Sequence, residues 1–176
     1  MIDTTLIKTH SEELQEHLEP ITHSEKEVIL LGSDHRGYDL KVLLREHFIK
    51  NTNYDVMDVG THNNERCDYP SIAKSLVKIM NRTVNGERGI LICGSGFGMS
   101  ITANRNKGIH AVVPRSVEEC RTARQHGNVN VLCIGSDFTA DVEAVKIVDA
   151  FLNTDYEELD TSRYSKRIKM IDEDDD

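Results

Sequence analysis

Gly89-Ile90-Leu91-Ile92-Cys93-Gly94-Ser95-Gly96-Phe97-Gly98-Met99-Ser100 decides the fold. Its first half is a short apolar run rich in branched side chains and closed by glycine, the signature of a strand buried on both faces. Its second half places glycine at alternate positions and then enters a helix. A strand that turns through glycines into a helix aims free backbone N–H groups at one point. That cradle suits an anion, either a phosphate or an oxyanion formed during reaction. It is not a P-loop, because G-K-[ST] is missing, and Met99 stands where a dinucleotide fingerprint needs its third glycine. A nicotinamide-dependent oxidoreductase therefore rests on this loop alone.

Outward from the loop, strands and helices alternate. Upstream, strands are expected at Val28–Gly32 and Tyr54–Val59, and helices at Asp39–Lys50 and Ser71–Met80. Downstream, strands are expected at Ile109–Val113 and Val131–Gly135, and helices at Val117–His126, Val142–Leu152 and Ser162–Ile171. This order implies an α/β fold: a mostly parallel central sheet with helices on both faces. Ligands in such folds bind beyond the carboxyl ends of the strands. Residues 1–27 read as an N-terminal extension, partly helical or disordered, with Leu14, Leu18 and Ile21 on one face of a short helix ended at Pro20. Residues 28–171 form the body, and 172–176 an acidic tail.

The chain has 176 residues, enough for one domain with a sizeable core. Its 21 basic against 30 acidic side chains leave a net charge of −9, which disfavours nucleic acid as a partner. No apolar run reaches the roughly 18 residues of a membrane span, and the first residues lack a signal-peptide core, so a cytoplasmic location is expected. Cys67, Cys93, Cys120 and Cys133 include no C-x-x-C pair, so neither a zinc ribbon nor a redox motif is expected.

Four constellations could carry chemistry. Asp34-His35, just after the first strand, could orient a hydroxyl and bind an anion, or Asp34 could simply cap the next helix. Cys93, at the mouth of the cradle, is either an activated thiol or a small buried hydrophobe. His126 could act as acid or base near neutral pH, or merely end its helix beside Gly127. Arg163 and Arg167, one helical turn apart with Lys166 and Lys169 nearby, could grip phosphate or form a solvated basic face.

Taken in order, Gly32 to Gly37, Asp58 to Thr61, Asp68 to Pro70, Gly89 to Asn104, Arg124 to Leu132, and Arg163 to Arg167 resemble the type B ribose-5-phosphate isomerases. These share a family with the galactose-6-phosphate isomerase subunits. The resemblance implies a Rossmann-like three-layer sandwich, a homodimer or tetramer with the active site at the subunit interface, and no metal or organic cofactor. It implies interconversion of ribose 5-phosphate and ribulose 5-phosphate in the pentose phosphate pathway. Cys93 would move the proton between carbons 2 and 1, and His126 would open the sugar ring. Ser95, with the amides of Gly94, Gly96 and Gly98, would hold the enediolate. Asp34 would bind hydroxyls, and His35, Arg163 and Arg167 the phosphate. Asp68 and Tyr69 would line the pocket, and Asn104 would fix the loop or the substrate.

Three positions depart from that pattern: Gly127 replaces an asparagine, Tyr164 a frequent histidine, and Asp137 a phosphate-binding arginine. A carboxylate at 137 should repel a phosphate unless its loop turns away. The alternatives are an isomerase of a six-carbon aldose phosphate and a weakly active phosphosugar-binding relative.

Overall fold

The computed structural model describes residues 26–82, 88–157 and 163–173. Five strands, β1 (Val28–Ser33), β2 (Asp55–Asp58), β3 (Arg88–Cys93), β4 (Ala111–Val112) and β5 (Val131–Gly135), form one sheet in the order β2-β1-β3-β5-β4. Every pairing is parallel. Among the described residues each strand is followed by a helix, α1 (Tyr38–Asn51), α2 (Tyr69–Met80), α3 (Phe97–Ala103), α4 (Val117–Gly127) and α5 (Asp141–Asn153), and α6 (Arg163–Asp172) comes after α5.

Strand alternation divides the core into two layers. Ile29, Leu31, Ile90, Ile92, Leu132 and Ile134 face α1, α4 and α5, where Phe48 and Phe151 are fully buried. Leu30, Leu91, Cys93, Val131 and Cys133 face α2 and α3, which contribute Leu76, Val77 and Met99. The expected α/β sandwich is the observed one. The strand order reverses between β1 and β3, and in open parallel sheets the crevice outside such a switch point is where ligands bind. The β1–α1 loop, with Asp34 and His35, and the β3–α3 loop, with Gly94 to Gly96, flank it.

Some boundaries differ from the sequence expectation. The strand expected over Ile109–Val113 shortens to Ala111–Val112, the two residues that pair with β5, and the Asn104 side chain bonds both backbone groups of Ala111 on its other edge. Helix α4 continues through Gly127, and Asn128, not Gly127, takes the left-handed position at its end (φ 43°). His126 is therefore inside the last turn. Asp172, expected in a solvated tail, is the last residue of α6 and pairs with His110 Nε2 at 3.0 Å. The expected N-terminal helix and residues 174–176 lie outside the described residues.

Two core thiols make the fold sensitive to alkali. Burial, opposed by the charges of Arg124 and Arg121, pushes the Cys120 thiol from 9.0 up to about 11. Burial, and then the neighbouring Cys93, also push Cys133 up. Both protons are held more tightly in the folded than in the unfolded chain. Their contribution to stability is thus complete below the ordinary thiol value and is lost as pH climbs through the folded one. The urea midpoint should fall between about pH 8 and about pH 10.5, with a shallower slope in Cys120→Ala. Identical slopes in the two proteins would show that Cys120 does not contribute.

Candidate active site

The β3–α3 loop is shaped by its own neighbours. Gly96 sits at φ +77°, the left-handed region, and a Cβ there would lie 2.8 Å from Val113 Cγ1. The Gly96 N–H donates to Cys93 Sγ at 3.1 Å and directs the sulfur toward the loop. Cys93 is 4% exposed. At Gly98 a Cβ would lie 2.5 Å from Tyr69 Cζ, so glycine lets the Tyr69 ring lie against the start of α3. The space beside these glycines is taken up by protein atoms, whereas the sequence suggested an approaching ligand. Ser95 lines a cavity of about 430 Å³ with Phe97, Val113, Arg115 and Phe138.

On the other side of the crevice, Asp34 is buried and its Oδ1 accepts the Arg36 N–H (2.9 Å) and the Gly37 N–H (3.1 Å). It orders the turn but is not the cap of α1, which is Gly37. His35 Nδ1 lies 3.1 Å from the Cys67 carbonyl oxygen, which leaves Nε2 for a ligand. That contact ties the β1–α1 loop to the segment carrying Asp68 and Tyr69. Asp68 is exposed at the start of α2.

Arg36, which the sequence reading left unassigned, meets Asp137 above the loop. The Arg36 guanidinium hydrogen-bonds to Asp137 Oδ2 and bridges the β1–α1 and β5–α5 loops. A Cβ on Gly94 would lie 2.7 Å from Arg36 Nε and 2.8 Å from Asp137 Oδ2, so the pair lies directly across Gly94. The repulsive carboxylate expected at Asp137 is neutralised. Positions 36 and 137 are 101 residues apart, and no periodicity in the sequence links them. Lys41, also unassigned, is fully buried and holds Asp58 Oδ1 (2.6 Å), Asp58 Oδ2 (2.7 Å) and the Thr61 carbonyl (2.5 Å). The Asp58–Thr61 motif thus anchors α1 to the loop after β2.

Asn104 spends its amide within the protein: Oδ1 accepts the Ala111 N–H at 2.7 Å, and Nδ2 donates to the Ala111 carbonyl at 2.8 Å. These two bonds tie the end of α3 to β4.

His126 and Arg163 meet through Tyr164, and Arg167 lies one turn further along α6. The His126 and Tyr164 rings stack at 4.0 Å and 6°. Arg163 donates to the Tyr164 hydroxyl at 2.8 Å, and this bond holds the exposed guanidinium above its ordinary value. Arg163 and Arg167 are exposed on α6, which packs against α4. Arg124 is structural: buried, it donates to the Val129 and Thr154 carbonyls and lies over Phe151.

Within one chain the two groups stand at opposite ends of the sheet. Cys93 is level with Gly135 in the register, whereas Gly89 is level with Val131. Those two levels are about 13 Å apart at 3.3 Å per residue. His126 precedes β5 and so belongs to the Val131 end, where His110 Nδ1 meets the Asn128 carbonyl oxygen at 3.3 Å. Apolar side chains crowd the Cys93 end instead: Phe97 is 51% and Phe138 78% exposed, with Ile101 and Val142 also exposed. Among the described residues, no three His, Cys, Asp or Glu side chains group as metal ligands, and no helix is long and apolar enough to cross a membrane.

The model of the Ribose/Galactose Isomerase family matches residues 29–171. The Escherichia coli protein named ribose-5-phosphate isomerase B is 39% identical over 144 residues, covering 81% of this chain and 93% of that one. The galactose-6-phosphate isomerase subunit LacB of Clostridium acetobutylicum is 34% identical over 148 residues, 83% of this chain and 82% of its own. A solved structure of ribose-5-phosphate isomerase B from Mycoplasma genitalium, with bound ribulose-5-phosphate, superposes with a TM-score of 0.76 at 38% identity, over 82% of this chain and 93% of that one.

An exposed ion pair contributes little to stability, so the double-mutant cycle of Arg36→Ala and Asp137→Ala should give a coupling below about 1 kcal/mol in urea unfolding. A coupling of about 2 kcal/mol or more would mean that a further surface buries the pair in solution.

Proposed function

The chain belongs to the ribose/galactose isomerase family, and from that premise we propose that it interconverts ribose 5-phosphate and ribulose 5-phosphate through an enediolate. The observation that carries the reading is the Cys93 thiol, hydrogen-bonded at the mouth of the β3–α3 loop beside the Asp34–His35 turn. Moving a carbon-bound proton requires a positioned base and a means of stabilising the enediolate. Cys93 takes the proton from carbon 2 and returns it to carbon 1, while Ser95 and the loop amides hold the developing oxyanion. Asp34 accepts from the sugar hydroxyls, and Asp68 and Tyr69 wall the pocket. His126 opens the furanose ring, and Arg163, Arg167 and His35 grip the phosphate. This remote grip holds the reacting carbons against the base. The chemistry calls on no metal or organic cofactor.

The separation of the two groups supports a site shared between two copies of the chain. One copy supplies the Cys93 loop and the other supplies His126 with the α6 arginines. The exposed Phe97, Ile101, Phe138 and Val142 are the kind of apolar surface that a second copy covers. In a symmetric dimer each copy gives and receives, so both sites are complete.

Purified protein should isomerise ribose 5-phosphate in the presence of EDTA, and Cys93→Ala should lower kcat by about a hundredfold or more. Turnover close to that of the parent would exclude Cys93 as the base. Faster turnover of galactose 6-phosphate would instead assign a six-carbon substrate, the alternative offered by the similarity to LacB. Stabilisation by ribose 5-phosphate without turnover would mark a binding relative.

Co-refolding two inactive variants, Cys93→Ala and His126→Ala, tests the shared site. At equal amounts, random pairing should restore about a quarter of the sites, each built from one intact half of either chain. No recovery, with mixed oligomers demonstrated, would place both residues in one protomer's site.

A further inference from the structure

We propose that Tyr164 is a positioning residue, which fixes the imidazole of His126 for ring opening and sets Arg163 beside it. The inference rests on the isomerase reading above. The Tyr164 ring lies parallel to His126 at 4.0 Å, and its hydroxyl accepts from Arg163 at 2.8 Å. The Arg163 guanidinium carbon is 4.9 Å from the centre of the same ring. One side chain therefore registers two groups that would touch different parts of the sugar.

The substrate requires such a register. In ribose 5-phosphate the ring oxygen is joined to carbon 4 and the phosphate hangs from carbon 5. The acid at the ring oxygen and the cation at the phosphate must therefore stand a fixed few bonds apart. In ring opening the bond between carbon 1 and the ring oxygen breaks and the ring oxygen takes a proton from the imidazolium. The anomeric hydroxyl returns a proton to the neutral imidazole as the carbonyl forms, so the histidine ends as it began. An imidazole free to rotate would lose the line to both oxygens, and a misplacement of about 1 Å costs up to a hundredfold in rate. His126 sits in the last turn of α4, and the parallel contact from α6 limits its rotation.

Ribulose 5-phosphate separates ring opening from proton transfer. With its carbon-5 oxygen esterified it stays acyclic, and exchange of its carbon-1 proton with solvent deuterium needs Cys93 but no ring opening. Tyr164→Leu should lower kcat for ribose 5-phosphate about tenfold while that exchange stays within about twofold of the parent. Tyr164→Phe keeps the stacked ring and should keep kcat within about twofold, with any loss appearing in KM through Arg163. Independently of turnover, the His126 ring protons, assigned by comparison with His126→Gln, should lie upfield in the parent and in Tyr164→Phe, and move downfield in Tyr164→Leu. Equal losses in both reactions for Tyr164→Leu, or an unchanged kcat with unmoved His126 resonances, would overturn the proposal. A parent protein inactive on both sugars would overturn the isomerase reading instead, and this inference with it.

Discussion

Parallel pairing along both edges of β3 is the constraint on which the site depends. With β1 and β5 in register on either side, the carboxyl ends of all three strands open on the same side. The reversal of strand order between β1 and β3 parts their following loops there and leaves a crevice. Cys93 is the last residue of the central strand, so its sulfur is delivered to that crevice by the sheet itself. The same constraint sends His126 away. A helix that returns the chain to the start of the next parallel strand must end at the opposite edge, and α4 does so.

The layers were legible because hydrophobic periodicity is local. Ile90, Leu91 and Ile92 mark a buried strand, and Leu40, Leu44 and Phe48 one face of α1, whereas packing decides which strand side chains meet which helices. The β3–α3 loop was legible as a turn, but its glycines were not legible in purpose. Spacing shows that a side chain is missing, while only tertiary structure shows that Arg36 and Asp137 fill the space at Gly94 and the Tyr69 ring fills it at Gly98. Asn104 was legible only through the resemblance, which implied that it fixes the loop or the substrate. Its amide bonds both backbone groups of Ala111, a strand residue whose position the helix pattern does not encode.

Two of the three departures from the family pattern, Asp137 and Tyr164, are met by contacts of this kind, and nothing in the structure explains the third, Gly127. Asp137 is not an isolated carboxylate, because Arg36, from the loop after β1, pairs with it. Gly127 lies inside α4, and a Cβ there would meet only Val129 Cγ2 at 3.5 Å, an ordinary contact, so the glycine is not forced by crowding. Tyr164 gives His126 a flat aromatic face and gives Arg163 an acceptor.

The departures at 137 and 164 thus leave the β3–α3 loop unaltered and act on how charge and rings are held around it. A crevice made by strand order tolerates such changes because its floor is main chain, ordered by the sheet, while its rim is side chain. Charge can move from one rim loop to another, as between positions 36 and 137, provided that the two loops meet. They meet because Gly94 lies between them without a side chain. Cys93 and Gly96 are thus fixed by the main chain of the sheet and its loop, whereas Arg36, Asp137 and Tyr164 are held by contacts between side chains.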